Sequence, residues 1–270
     1  MGIGAAILLG IVQGVTEFLP VSSSAHLILA REFFGWDAGR FGLPFDVACH
    51  VGTLAAVLAF FRKDIGELIV AAPDALRRAP GPAGRRVRLI VAGTIPIAIV
   101  GLLFADEIEH HLRGPLVAAA GLAFGAALLL IVERIGPRTK GEESLTIPGA
   151  VAIGIGQASA LLPGMSRSGT TIAVGMGLGL RREAAARFTF LMSAPAVAAA
   201  AVKESVGLRD APPDGAMWLL MAIGLVTSGV VGYLTVKFFL RFLGSNRLDV
   251  FAWYRLALAA VTVAWVLWIK

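Results

Sequence analysis

Cysteine is almost missing from this 270-residue chain. Cys49 is the single example, which excludes an internal disulfide and any metal centre built on several thiolates. It reads as a small apolar residue inside a helix. Charge is scarce as well: Asp, Glu, Lys and Arg make up 16% of the residues against 57% hydrophobic ones. That is too little charge to clothe a soluble domain of this length, so the composition describes an integral membrane protein. The apolar runs lack period-two alternation, which excludes an outer-membrane barrel. The amino terminus lacks a basic leader, and a polar motif interrupts its apolar stretch, so no cleavable signal is expected. The formal charge of +6 comes from Arg clustered beside apolar runs rather than on a face with aromatics, so no nucleic-acid partner is expected.

Six apolar stretches are present, at residues 43–61, 89–105, 115–132, 187–202, 216–239 and 250–269. Each approaches the about 20 residues a membrane-crossing helix needs. Two further apolar segments, 2–34 and 147–180, are broken near their middles by Pro20 and Pro163 and by clustered hydroxyls. A continuous span broken in this way leaves backbone groups unpaired in hydrocarbon. Re-entrant helix hairpins buried in protein avoid that cost, kinked through-spans being the alternative. The two breaks resemble each other: each has a Gln (Gln13, Gln157), then Leu-Pro, then a Ser three residues after the Pro (Ser23, Ser166).

Loop charge sets an expected orientation. The linker 62–88 carries six Arg and one Lys and should be cytoplasmic, as should 134–140, 181–182 and 241–247, all basic. The loops 106–113, rich in acids and His, and 203–214 should face the opposite side, as should both termini. A hairpin followed by three crossings turns the second half upside down. The expected fold is therefore an all-α integral membrane protein of two inverted-topology repeats, residues 1–140 and 141–270, each a re-entrant hairpin plus three transmembrane helices.

Polar groups at the breaks are expensive in a membrane and so mark a site. Gln13 and Glu17, four residues apart, share one helix face. Ser22, Ser23 and Ser24 suit the start of the next helix, whose first turn holds His26. In the other half, Gly164, Ser166, Arg167, Ser168, Thr170 and Thr171 crowd a helix start. Two half-helix N-termini plus an Arg suit a multi-oxygen anion, most naturally phosphate. Glu17, His26 and the hydroxyls add a base or metal ligand, an acid and a nucleophile. Gln157 is read as satisfying broken backbone. Asp46 and His50, one helical turn apart, either support the site or sit at the membrane interface. His110 and His111 with Glu107 and Glu109 read as a solvated loop. Arg255, inside the last span, needs a partner that the sequence does not name.

The segments Q-G-V-T-E-F-L-P-V-S-S-S-A-H and P-G-M-S-R-S-G-T-T resemble the two signatures of the undecaprenyl pyrophosphate phosphatase family of bacitracin-resistance proteins, and the likeness extends over most of the chain. It implies hydrolysis of undecaprenyl diphosphate to the monophosphate carrier lipid, recycled for cell-wall synthesis, at a site reached from the outer face of the cytoplasmic membrane. It implies catalytic roles for Glu17, Ser23, His26 and Arg167, with either Ser23 or a water as the attacking group. Substrate contacts fall to Gln13, Ser22, Ser24, Gly164, Ser166, Ser168 and Thr171. A divalent cation, Mg²⁺ or Ca²⁺, is implied, with Glu17 as its ligand because Gln13 carries no charge. The partners are then the polyprenyl diphosphate and membrane lipids, with a homodimer left open. The leading rival is a secondary transporter or lipid flippase on the same inverted repeats. The phosphatidate-phosphatase type fails, because no His follows His111 to build its late motif.

Overall fold

A computed structural model of the chain describes residues 2–37, 41–136, 138–210 and 213–268. Its helices are α1 (Gly2–Thr16), α2 (Ser23–Phe34), α3 (Leu43–Phe60), α4 (Arg62–Ala71), α5 (Pro82–Leu112), α6 (Pro115–Ile135), α7 (Ile147–Ser159), α8 (Arg167–Gly177), α9 (Arg182–Asp210), α10 (Gly215–Leu243) and α11 (Asp249–Trp268). Pro occupies the first turn of α3, α5, α6 and α7, where its missing N–H costs nothing. Among the described residues, six helices (α3, α5, α6, α9, α10 and α11) are long and apolar enough to cross a membrane. The protein is a multi-pass, all-helical membrane protein.

The chain wears its large apolar side chains outward: Leu102 is 84% exposed, and Phe124, Phe238 and Trp253 also face out. In water these would be an aggregation surface; in a bilayer they meet lipid tails. Helix pairing instead relies on small residues that let backbones approach. α10 packs on α1 and α3, α5 on α7, α6 on α11, and α3 on α9. Edge-on aromatic packing joins the halves, with Phe18 and Phe190 ring centroids 5.4 Å apart.

Both broken segments are helix–turn–helix hairpins, α1–α2 and α7–α8, and neither arm reaches spanning length. Two loop expectations are corrected. Residues 106–112 continue α5, with Glu107 and His111 paired one turn apart at 3.2 Å. At 31 residues, or about 46 Å, this helix overruns a hydrocarbon core of about 30 Å, so its polar last turns stay helical beyond the apolar region. Likewise 203–210 belong to α9, and residues 211–212 of that loop lie outside the described residues.

Ion pairs tie each end of the bundle. At the basic end, buried Glu133 accepts from Arg138 and Arg182 and from the Leu248 N–H, while Asp64 joins Arg86 and Arg187. At the other end, Asp46 takes both guanidinium nitrogens of Arg31, at 2.7 and 3.0 Å, and Arg113 at 2.6 Å. Asp46 thus belongs to the end clamp and parts company with His50.

Candidate active site

The two breaks have the same backbone solution. α1 runs into Glu17, whose N–H still donates to the Gln13 carbonyl at 2.9 Å, and Pro20 then stops the ladder. The chain reverses at Ser22, with φ 75°, which precedes α2; in the other half it reverses at Ser166, with φ 68°, which precedes α8. A left-handed φ on a residue with a Cβ costs about 1–3 kcal/mol and persists where the surroundings enforce it, typically at functional sites. Ser166 recovers part of that by accepting the Gly169 N–H at 3.1 Å. Gly164, φ 91°, is required where it stands, since a Cβ would overlap the Ala118 carbonyl of α6.

This geometry corrects the register read from the prolines. Ser22, not Ser23, is the counterpart of Ser166, because the second break carries one extra residue after its Pro. Ser23 and Arg167 are therefore equivalent: each is the first residue of its half-helix.

Glu17 is the hub between the breaks. One oxygen, Oε2, accepts from the Ser23 hydroxyl at 2.6 Å and from the Gln13 amide at 2.8 Å, and lies 3.4 Å from His50 Nδ1. The other, Oε1, accepts from the Arg167 guanidinium, 150 residues away in sequence. Glu17 is buried, whereas the Arg167 side chain remains 19% exposed, so of the pair it is the arginine that is accessible from outside the protein. Arg167 could have clamped backbone carbonyls; its partner here is a carboxylate.

His26 stands apart from this hub, joined to neither Glu17 nor Arg167. Its Nδ1 lies 2.7 Å from the Ser22 carbonyl, which can only accept, so the proton is on Nδ1 and the lone pair on Nε2. That lone pair receives the Tyr254 hydroxyl at 2.7 Å, with the two rings stacked 5.6 Å apart. Tyr254 is not among the residues expected from the sequence; its signal was the polar tip next to a charged Arg255.

Arg255 finds its partners here. Fully buried, it donates to the carbonyls of Pro20 in the first break, Gly164 and Met165 in the second, and Gly121 and Leu122 of α6, at 2.9–3.2 Å. A Cβ on Gly125 would collide with this guanidinium, so glycine makes its room. An Arg at a span centre costs about 2.5–3.5 kcal/mol by insertion scales. Hydrogen bonds to a charged donor contribute about 1.5–3 kcal/mol each, so two or three of the five offset the cost.

The remaining predicted residues are brought together differently than expected. The Ser168 hydroxyl donates to the Leu19 carbonyl of the opposite break at 2.9 Å, and Thr171 turns back onto the Arg167 carbonyl at 2.6 Å. Ser22 and Ser24 face each other at 3.2 Å, and Ser166 and Ser168 at 3.3 Å. These hydroxyls build the frame, and what the segments offer an anion is the first N–H groups of α2 and α8. Gln157 is corrected: it is fully buried and neither amide atom hydrogen-bonds the broken backbone.

The residues do not make a preformed seat for a divalent cation. Both Glu17 oxygens are engaged, and among the described residues no three His, Cys, Asp or Glu side chains converge. The His110–His111 cluster also falls short.

Against known proteins, residues 6–261 match the family described as Bacitracin resistance protein BacA. The undecaprenyl-diphosphatase of Rubrobacter xylanophilus is 46% identical over 262 residues, covering 96% of each chain. That of Geobacter sulfurreducens is 44% identical over 269 residues, covering 98% of each, and that of Moorella thermoacetica 42% over 265 residues, again 98% of each.

Proposed function

The chain belongs to the bacitracin resistance protein BacA family, and from that premise we infer that it is a membrane phosphatase that hydrolyses undecaprenyl diphosphate to undecaprenyl phosphate and phosphate. The observation that carries the reading at atomic level is the Ser23 hydroxyl on the Glu17 carboxylate, with Arg167 of the opposite hairpin on that carboxylate's other oxygen.

In the sequence of steps we propose, the polyprenyl tail stays in lipid and the diphosphate enters between the hairpins. Arg167 and the α2 and α8 N-termini hold its oxygens. Ser23 Oγ attacks the terminal phosphorus as its proton passes to Glu17. The bridging P–O bond breaks and the lipid monophosphate leaves. Water then displaces Ser23 from phosphorus: the proton held by Glu17 returns to Ser23 Oγ, and the water proton passes to the Tyr254 oxygen as the Tyr254 hydroxyl proton moves onto His26 Nε2. The 2.6 Å bond of its hydroxyl to Glu17 is what supports Ser23 as the nucleophile. The divalent cation is kept as a proposal of a specific kind: Mg²⁺ or Ca²⁺ arriving chelated by the diphosphate, as Mg²⁺ commonly does. No step above runs through it.

Purified protein in detergent should release phosphate from a polyprenyl diphosphate, and a chelator should slow release only if the cation enters with the substrate. No release with or without added cation would sink the phosphatase reading.

Orientation is proposed from charge. The basic end gathers Arg86, Arg138, Arg182 and Arg187, which supports a cytoplasmic position for it and a site opening outward. The exchanged pairings, α1 on α10 and α7 on α5, support two inverted halves. A cysteine at Glu109 should react with an impermeant reagent added outside intact cells, and one at Ala83 should not. The reverse pattern would overturn the inverted arrangement.

A further inference from the structure

We propose that His50 is a further catalytic residue, whose Nε2–H donates a hydrogen bond to the phosphoryl group being transferred. This rests on the phosphatase reading above and adds a donor that the sequence left undecided between support and interface.

The argument starts at Gln13. Glu17 is held as a carboxylate by Arg167, so only a donor can face its Oε2, and the Gln13 atom 2.8 Å away must be the amide nitrogen. The same nitrogen lies 3.0 Å from His50 Nδ1. An amide N–H aimed at a ring nitrogen requires a lone pair there, so Nδ1 is bare and the imidazole proton sits on Nε2. Gln13 is fully buried and is what orients the ring. The Nδ1 edge lies against Gln13 and Glu17, yet the His50 side chain is 32% exposed, so the accessible edge is the one carrying Nε2–H. The ring and Ser23 share one carboxylate oxygen: Glu17 Oε2 lies 3.4 Å from His50 Nδ1 and 2.6 Å from the Ser23 hydroxyl.

The site therefore holds two histidines in opposite tautomers. Ser22 puts the proton of His26 on Nδ1 and leaves its Nε2 an acceptor, met by the Tyr254 hydroxyl; Gln13 puts the proton of His50 on Nε2, ready to donate. A neutral donor placed there, with its orientation fixed in advance, stabilises charge on the phosphoryl oxygens as they flatten from tetrahedral toward the equatorial plane of the transition state, without adding to the positive charge already supplied by Arg167.

Three variants of the full chain separate a donor from a mere support for Gln13. A Gln side chain reaches the position of Nε2 with an N–H, whereas Asn reaches only Nδ1, where it can still receive Gln13. With purified protein and a polyprenyl diphosphate, His50→Gln should keep kcat within about threefold of wild type, while His50→Asn and His50→Ala lose about a hundredfold, with KM changing much less. All three should elute and melt as wild type does. The proposal is overturned if His50→Asn retains the rate and His50→Gln loses it, if both fall equally, or if His50→Ala keeps wild-type turnover. Wild-type protein that releases no phosphate would instead overturn the underlying reading, so the two failures are distinct.

Discussion

Glu17→Gln is expected to lower turnover by about a hundredfold or more, the usual scale for losing a general base. The substitution preserves the volume of the side chain and its contact with Gln13. It removes the one atom able to take the Ser23 proton and the charge that aligns Arg167. Arg167 loses its counter-ion, but its side chain is accessible from outside the protein, so the folded protein should survive with a modest drop in melting temperature. Ser23→Ala should be as damaging, and the double variant no worse than either single one, because the two act as a unit. Rapid acid quench of wild-type protein on a phosphorus-labelled substrate should show label on Ser23. A Ser23→Ala enzyme keeping about a third or more of the rate would end the nucleophile role and leave the hydrolase assignment standing.

Arg167→Lys is the second large effect, again about a hundredfold in kcat/KM. One guanidinium nitrogen is committed to Glu17, and the planar fork has others left for two phosphate oxygens. An ammonium has the charge but not the fork, and on its shorter reach it must choose between Glu17 and substrate. The loss should therefore appear in both kcat and KM, unlike the His50 variants. Near-normal turnover for Arg167→Lys would reduce Arg167 to a strut between the hairpins.

The six spans and the two hairpins were legible because hydropathy and proline act locally: a residue's cost in lipid does not depend on its distant neighbours. Helix ends were less legible, as at Asp106–Leu112, since α5 carries on past the apolar region once its own i,i+4 pairs support it. The site was legible as a set of chemical types but not as a set of bonds. Glu17 was seen with Gln13, yet its bonds to Arg167 and the closeness of His50 depend on how four helices meet. Tyr254 and the partners of Arg255 were hidden for the same reason, since an aromatic and an Arg on a spanning helix state a need without naming who meets it. Gln157 shows the converse: a motif-level likeness to Gln13 did not carry over to its surroundings.

The Arg255 guanidinium joins carbonyls that lie 90 to 235 residues upstream of it. A growing chain completes α1 through α10 before this side chain exists. Until then the carbonyls at Pro20, Gly164 and Met165 lack this donor. Competence for catalysis thus waits on the arrival of α11, and a nascent chain halted before that helix would carry Glu17, Ser23, His26 and Arg167 without the strut that braces their frame.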